Sequence, residues 1–271
     1  MTKSPLRLAL LQMEATVGDV AANLERVAKA AAEAAERGAA CLLAPELALT
    51  GYGAGAAITA LAEPADGGQV ASLAAIAART GVAVVCGFAE AADGVVYNSA
   101  AAVSPDGTRR TYRKLHLYGD YERALFRPGS TPPEPFQLGG LRAGLLICYD
   151  VEFPEMVRHL AVAGADLILV PTALPAAQHA AFTARSVVPV RAFENQIFVA
   201  YANHAGGDGA FTYAGMSGIT APDGTDLARA DATGETMLIA DLDPHGFDSS
   251  RDANPYLIDR RMRFTSGPYE A

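Results

Sequence analysis

The sequence predicts an α/β fold with mixed sheets. Short apolar segments alternate with longer segments whose apolar residues recur every three or four positions. Two Pro-Asp-Gly-Thr turns, at residues 105–108 and 222–225, divide this pattern into two similar halves. The chain has 271 residues and 51% hydrophobic content, enough to bury a large core. No Ser/Gly/Pro-rich linker or charge block separates the halves, so we predict one domain over residues 1–271.

The amino-terminal half is predicted to begin with a strand at residues 6–12, LRLALLQ. A helix follows at residues 20–37, because apolar side chains share one face and Gly38 ends the pattern. Strands are predicted at residues 41–44, 82–88 and 95–103, with a helix at 69–79 that Gly81 ends. The Asp-Gly pair of the turn at 104–108 supplies the positive φ of a tight hairpin. A short strand from Arg109 then leads to Lys114.

The carboxy-terminal half repeats this alternation. Strands are predicted at residues 141–148, 167–170, 197–203, 217–220 and 235–241. Helices are predicted at 154–163, ended by Gly164, and at 183–195, where Pro189 disturbs the hydrogen-bond pattern. The tail after Pro244 is polar and is predicted to be irregular. It ends in a basic cluster of three arginines, Arg260, Arg261 and Arg263.

Charge and composition exclude several classes of partner. A net charge of −9 and a pI near 5.0 argue against nucleic acid or an anionic membrane, which basic patches normally bind. The first strand is too short for a signal-peptide core, and no apolar run reaches the roughly 18 residues of a membrane span. We therefore expect a cytoplasmic protein that binds no nucleic acid and no membrane.

The cysteine and histidine patterns predict no metal site. Cys41, Cys86 and Cys148 are widely spaced and form no CxxC pair, so neither a disulfide framework nor a thiolate metal site is indicated. Cys41 and Cys86 lie within apolar strands and are predicted to be core residues. The five histidines form no HExxH or similar ligand spacing, so no metal is expected.

Three predicted strands lead to an ionisable residue: Glu46 follows residues 41–44, Lys114 ends the strand from Arg109, and Cys148 follows residues 141–147. A cysteine in this position is by itself more typical of a buried core residue. A strand-to-helix turn before Pro154, however, would hold Cys148 at the carboxyl edge of a sheet, where backbone N–H groups face a ligand.

These three residue types together fit amide hydrolysis. The reaction needs a nucleophile, a base that takes its proton, and positive charge beside the developing oxyanion. Cys148 is the natural nucleophile, and Glu46 is the candidate general base if burial raises its pKa. Lys114 would stabilise the oxyanion together with a backbone N–H, which we expect to be that of Tyr149.

The residues around these three positions resemble the carbon–nitrogen hydrolase family, usually called the nitrilase superfamily. The resemblance lies in PE before an apolar Thr-Gly run, a lysine followed by His and Leu, and CYD followed by FPE. It extends from LALLQMEATVGD to the strand after GMSGITAPDG, nearly the whole chain. The resemblance implies a four-layer α-β-β-α sandwich, a small-molecule amide substrate and no cofactor.

The resemblance also implies roles for residues outside the triad. Many family members carry a second glutamate before an aromatic residue and a Pro-Gly turn, and here Glu122 stands four positions before Phe126. Glu122 would then position Lys114 and the substrate amide. His116 is expected to fix the loop after the lysine by hydrogen bonding.

The segment RAFENQIFVAYANHAG is also similar to the family. Arg191 and Glu194 are expected to form a structural ion pair on a helix. Asn203 and His204 end a strand that should reach the rim of the pocket, and Asn203 is a candidate substrate contact. The family further implies a homodimer or higher even homo-oligomer, with the tail from about residue 245 at a subunit interface.

Several alternatives remain at this point. The CYD sequence resembles amidases more than nitrilases, which favours conversion of a small carboxamide to a carboxylic acid and ammonia. An N-carbamoyl amide hydrolase or a nitrilase of the same family is the alternative. A serine hydrolase would need a GxSxG turn, which GMSG does not match, and a papain-like enzyme would need a histidine partner for Cys148. An inactive, interaction-only member would lack at least one residue of the triad, yet all three are present.

Overall fold

The computed structural model describes residues 3–261 and places two six-stranded sheets face to face between layers of helices. The predicted four-layer α-β-β-α sandwich is therefore confirmed. The first sheet has the order β12-β1-β2-β3-β4-β5 and the second the order β11-β10-β9-β8-β7-β6. Strands are numbered along the chain: β1 (Leu6–Gln12), β2 (Cys41–Leu43), β3 (Ala83–Ala92), β4 (Val95–Val103), β5 (Arg109–Arg113), β6 (Phe136–Leu138), β7 (Leu141–Leu145), β8 (Leu167–Pro171), β9 (Phe198–Ala202), β10 (Gly218–Thr220), β11 (Asp226–Arg229) and β12 (Thr236–Leu242).

Each sheet has a parallel centre and antiparallel edges. Strands β1, β2 and β3 are parallel to one another in the first sheet, as are β7, β8 and β9 in the second. The remaining pairs are antiparallel, including β1 with β12 and β3 with β4. The carboxyl ends of parallel neighbouring strands lie at one edge of their sheet. The residues that follow β2 therefore lie at this edge of the first sheet, and those that follow β7 lie at the corresponding edge of the second.

The helices are also numbered along the chain: α1 (Val20–Glu36), α2 (Ala57–Leu61), α3 (Gly68–Thr80), α4 (Gly119–Leu125), α5 (Pro154–Val162), α6 (Ala180–Phe182), α7 (Val188–Asn195), α8 (Asp248–Ala253) and α9 (Tyr256–Asp259). Turns of 3₁₀ helix occur at Tyr52–Ala54, Cys148–Glu152 and Pro244–Phe247. Within residues 3–261, none of these helices is long and apolar enough to cross a lipid bilayer.

Alternate residues of the central strands enter different layers. In β1, Leu8 and Leu10 pack in the core between the two sheets, whereas Ala9 and Leu11 pack in the core that includes α1 and α3. Successive side chains of a strand point to opposite faces, so a strand covered on both faces is apolar at nearly every position. This explains the uninterrupted apolar run of the first strand.

The second predicted helix of the carboxy-terminal half begins earlier than expected. It runs from α6 through a π-helical segment, Thr183–Val187, into α7 without a break. Pro189 lies at the start of α7. Proline has no N–H to donate and its ring crowds the preceding turn, so a wider turn before it accommodates the ring.

The prediction of an irregular tail after Pro244 is wrong for residues 244–261. This segment contains a 3₁₀ turn, α8 and α9. Short helices of mixed polar residues lack the long apolar periodicity by which helices are recognised in a sequence. Arg260 and Arg261 lie at the end of the described residues, and Arg263 of the predicted basic cluster lies outside them.

Candidate active site

The segments that follow β2, β5 and β7 bring Glu46, Lys114 and Cys148 to one buried site, and α4 adds Glu122. Lys114 directly follows β5, and its Nζ donates to Glu46 Oε1 (2.7 Å) and to Glu122 Oε1 (2.6 Å). The side chains of Lys114 and Glu46 are 0% exposed, and that of Glu122 is 1% exposed. An ammonium between two carboxylates can be buried because each ion pair offsets the cost of removing charge from water.

The carboxylates keep Lys114 charged. Burial alone lowers the pKa of this lysine, but the charges of Glu46 and Glu122 outweigh burial and raise the pKa above its ordinary value. Lys114 is therefore an ammonium over the whole neutral range. A fixed positive charge that water does not screen is the group an oxyanion requires.

Glu46 is held by contacts that leave one of its oxygens free. Asn98 Nδ2 donates to Oε1 (2.7 Å), and His204 Nε2 lies 2.7 Å from the backbone carbonyl oxygen of Glu46. The second oxygen, Oε2, is buried and has no hydrogen-bond partner among residues 3–261. A buried acceptor without a partner is costly, and a proton taken from another group would satisfy it.

Cys148 begins a 3₁₀ turn and does not end the strand, because β7 already ends at Leu145. Its φ is +44°, a left-handed conformation that costs a residue with a side chain roughly 1–2 kcal/mol. Contacts from several elements maintain this strained turn. Arg191 Nε donates to the carbonyl oxygen of Val151 (3.0 Å) and Arg191 Nη2 donates to that of Glu152 (2.6 Å).

Asp150 fixes the same turn from its other side. Its Oδ2 accepts from Tyr112 Oη (2.8 Å) and from the backbone N–H of Ile147 (3.2 Å). Its Oδ1 accepts from the backbone N–H of His116 (2.9 Å) and lies 2.8 Å from His116 Nδ1. His116 thus ties its loop to the cysteine turn, the role expected from the sequence. The ring also stacks on Phe153, with centroids 3.8 Å apart.

Cys148 differs electrostatically from the other two cysteines. Burial raises the pKa of its thiol well above the usual value; Glu46 and Glu122 raise it further, while Lys114 lowers it. Cys41 and Cys86 are fully buried, and burial alone raises the pKa of each to about 12. The charges around Cys148 therefore act on its thiol, whereas Cys41 and Cys86 are affected by burial alone.

Glu122 is positioned by three donors. Its Oε1 accepts from Lys114 and from Tyr52 Oη (2.9 Å), and its Oε2 accepts from the backbone N–H of Tyr118 (2.8 Å). Burial raises the pKa of Glu122, Lys114 lowers it, and Glu46 raises it again. Both oxygens of Glu122 accept hydrogen bonds within the protein, whereas only Oε1 of Glu46 does.

A narrow cleft of about 30 Å³ opens beside Cys148. Its lining includes three tyrosines, two glutamates and a histidine: Tyr52, Tyr118, Tyr149, Glu122, Glu152 and His179. Ala173, Leu174 and Pro175 complete the side formed by the loop after β8. A cleft of this volume has room for a group of only a few atoms beside Cys148.

Asn203 does not line the cleft, in contrast to the expectation of a substrate contact. Its side chain is 0% exposed; Oδ1 accepts from the backbone N–H of Leu174 (2.8 Å) and Nδ2 donates to the carbonyl oxygen of Gly215 (2.8 Å). His204, 1% exposed, is likewise held behind the site. Asn203 supports the loop after β8 through Leu174, and His204 contacts the backbone of Glu46.

Sequence reasoning missed Asn98, Tyr52, Glu152 and His179. Asn98 and Tyr52 lie 52 and 70 positions from the glutamates they contact, within β4 and a 3₁₀ turn. The polar pair Asn98-Ser99 inside the mostly apolar strand β4 is the one local signal that would have pointed to Asn98. The predicted Arg191–Glu194 ion pair is present (3.1 Å). Among residues 3–261 no group of three histidine, cysteine or acidic side chains is placed to hold a metal ion.

A family model described as carbon-nitrogen hydrolase matches residues 7–252 of the chain. The chain belongs to the carbon–nitrogen hydrolase family. This hydrolase is 43% identical over 259 residues to a protein of Pseudomonas protegens called "Hydrolase in pqqF 5'region". The aligned region covers 94% of this chain and 89% of the relative. It is 36% identical over 258 residues to an "(R)-stereoselective amidase" of a Pseudomonas species, with 95% and 92% of the two chains covered.

Among solved structures, the carbon–nitrogen hydrolase is similar to an amidase of Nesterenkonia sp. AN1, seen as a cysteine-to-alanine mutant in complex with butyramide. The TM-score is 0.86 at 36% sequence identity, and 97% of each chain is covered. The resemblance to the amidase-like branch of the nitrilase superfamily inferred from the sequence is thereby confirmed. The protein is an enzyme that hydrolyses carbon–nitrogen bonds of amides.

Proposed function

We propose that the enzyme converts small carboxamides to carboxylic acids and ammonia through a thioester on Cys148. The observation that carries this proposal is the buried Lys114 between Glu46 and Glu122 beside the cysteine cleft. The narrow cleft favours small substrates. The structural relative that binds butyramide, and the relative called an amidase, support a simple carboxamide as the substrate class.

In the first half-reaction, Glu46 accepts the thiol proton through its free Oε2 as the sulfur attacks the carbonyl carbon. A C–S bond forms, and the carbonyl oxygen becomes an oxyanion between the Lys114 ammonium and the backbone N–H of Tyr149. Glu46 then returns the proton to the amide nitrogen. The C–N bond breaks, ammonia leaves, and the acyl group stays on Cys148.

In the second half-reaction, a water molecule attacks the thioester carbon while Glu46 accepts one of its protons. The oxyanion forms again at the same place, the C–S bond breaks, and the carboxylic acid leaves as the thiol regains its proton. Glu122 takes no part in these transfers. It positions Lys114 and accepts a hydrogen bond from the substrate N–H₂ group.

Replacement of the nucleophile tests this mechanism. We expect Cys148→Ala to abolish ammonia release while far-ultraviolet circular dichroism stays unchanged, and Cys86→Ala to remain active because that thiol lies in the core. Mass spectrometry of the wild type with a slow amide should show an acyl adduct that Cys148→Ala lacks. An active Cys148→Ala enzyme would overturn the mechanism. A panel of carboxamides, N-carbamoyl compounds and nitriles, measured by ammonia release, identifies the substrate class.

Three other sequence inferences stay predictions: one domain over residues 1–271, a cytoplasmic location and an even homo-oligomer. Outward-facing apolar side chains on α5, α6 and α7 support the oligomer, because Val162, Phe182 and Val190 are 46%, 65% and 48% exposed. These side chains lie on helices that contact one another or the segment between them, and exposed apolar side chains on one helical layer are typical of subunit interfaces.

A further inference from the structure

The cleft beside Cys148 contains more carboxyl groups than cationic groups. Two glutamates, Glu122 and Glu152, line the cleft, and no lysine or arginine is among its lining residues. The Lys114 ammonium is paired with Glu46 and Glu122, at 2.7 Å and 2.6 Å. The carboxyl group of Glu152 therefore lies in the cleft without a share in this ion pair.

No other side chain within residues 3–261 forms an ion pair with Glu152. The nearby Arg191 donates to the backbone carbonyl oxygen of Glu152 (2.6 Å), and its remaining Nη1 pairs with Glu194 (3.1 Å). His179 lines the same cleft and partly compensates the charge of Glu152. The carboxyl group of Glu152 can therefore bind a charged group that enters the cleft.

Burial raises the pKa of the Glu152 carboxyl, and the charges of His179, Arg191 and Lys114 only partly lower it. A carboxylate in this condition is stabilised by any cation that enters the cleft. Aromatic rings of Tyr118 and Tyr149 line the same cleft, and such rings attract cations through their faces. An anionic substrate group would instead meet Glu122 and Glu152 at short range.

We propose that Glu152 is a specificity-determining residue that binds a protonated amino group of the substrate. The preferred substrates are then carboxamides with an amine close to the carbonyl carbon, such as α-amino-acid amides, and amides with a carboxylate in that position are rejected. This proposal rests on the proposed amidase function and specifies its substrate class.

Two amides of nearly equal shape test the proposal. Alaninamide carries an ammonium at neutral pH where isobutyramide carries a methyl group. We expect wild-type kcat/KM to be at least tenfold higher for one enantiomer of alaninamide than for isobutyramide. In Glu152→Gln this ratio should fall about tenfold, the effect of replacing a charge-assisted hydrogen bond by a neutral one. The matched control is Glu155→Gln, which removes the charge of an exposed glutamate three positions further along and should leave the ratio unchanged.

Equal losses on both amides in Glu152→Gln would show that Glu152 only supports the turn, and would overturn the proposal. A wild-type ratio near one would overturn it too, because His179 would then neutralise the carboxylate. Calorimetric binding of both amides to Cys148→Ala separates this proposal from the amidase function. If the wild type releases no ammonia, the amidase mechanism fails. The amine site still stands in that case if Cys148→Ala binds alaninamide more tightly than isobutyramide and the double variant Cys148→Ala/Glu152→Gln does not. Equal binding of both amides by Cys148→Ala contradicts the amine site itself.

Discussion

Glu46 and Glu122 contact the same ammonium, yet their remaining atoms have different environments. Both oxygens of Glu122 accept hydrogen bonds, from Lys114 and Tyr52 on one and from Tyr118 on the other. Glu46 has a buried oxygen without a partner among the described residues. Of the four oxygens of these two carboxyl groups, Oε2 of Glu46 is the one that accepts no hydrogen bond from the described residues, which supports the assignment of Glu46 as the base.

This difference predicts different effects of the same substitution. Glu46→Gln keeps the shape but removes the proton acceptor, so both amide turnover and alkylation of Cys148 by a small electrophile should fall at least 100-fold. Glu122→Gln should reduce turnover by a similar factor, because Lys114 and the amide lose their positioning, but should leave alkylation within about threefold of wild type. Stopped-flow alkylation and ammonia release on both variants provide the comparison.

The outcome that contradicts this assignment is equal loss of thiol reactivity in the two variants. The two carboxyl groups would then titrate as one coupled unit around Lys114, and neither could be called the base alone.

His204 predicts a loss of stability in acid. Burial lowers the pKa of His204 below its usual value, and its hydrogen bond to the backbone of Glu46 offsets this only in part. The unfolded chain therefore binds the proton at a higher pH than the folded protein. The contribution of His204 to the free energy of unfolding is constant above about pH 6.5. It decreases as the pH falls toward the lowered pKa, by up to about 1.4 kcal/mol per pH unit.

Thermal unfolding at pH 7.5 and pH 5.5 measures this effect. We expect the drop in Tm between the two pH values to be smaller in His204→Asn than in the wild type, whatever the Tm of the variant at pH 7.5. His245→Asn is the control, since His245 is 64% exposed and should leave the drop unchanged. An unchanged drop in His204→Asn would show that other groups cause the acid sensitivity.

At the level of elements, the site depends on the close approach of β3 to the chain that follows β2. Gly87 of β3 donates its N–H to the carbonyl oxygen of Pro45 (3.0 Å). A Cβ on Gly87 would lie 2.3 Å from the backbone nitrogen of Leu47 and 2.6 Å from Cα of Glu46. Backbone atoms cannot move aside as a side chain can, so only glycine permits this approach.

Gly87→Ala should therefore displace the base. We expect a loss of about 1–3 kcal/mol in the free energy of unfolding and at least a tenfold loss of kcat/KM, because Glu46 moves away from the thiol. Gly246→Ala is the matched control, since the nearest atom to its added Cβ is 3.9 Å away. Urea denaturation and ammonia release test both variants. A fully active and stable Gly87→Ala enzyme would contradict the argument from close approach.

At the level of the whole molecule, the exposed apolar side chains of α5, α6 and α7 predict self-association. Light scattering at micromolar concentration should give twice the chain mass of 28.1 kDa, or a higher even multiple. Phe182→Glu places a charge within this surface and should shift the protein toward the monomer. Val17→Glu, at a residue that is 40% exposed outside these helices, should not. A wild type that is monomeric would refute the prediction.

The sequence by itself determined the fold class, most strands and long helices, and the three residues Glu46, Lys114 and Cys148 that follow β2, β5 and β7. These features depend on neighbouring residues: apolar runs, helical periodicity and the residue that ends each run. Because local patterns carry no information on distant contacts, the sequence did not predict the short helices after Pro244. The position of Lys114 between two glutamates was inferred from the order of residues and the family resemblance.

Only the tertiary structure decided which side chains complete the site. Asn98 and Tyr52 reach the glutamates because the sheets bring together residues 52 and 70 positions apart. Asn203 directly follows β9, which ends at Ala202, and its amide is bonded to the backbone of Leu174 and Gly215 and does not line the cleft. Glu152 lines the cleft because a strained 3₁₀ turn, held by Arg191 and Asp150, turns the chain after Cys148. The free energy that maintains such a turn comes from contacts between separate elements, and no local pattern in the sequence records it.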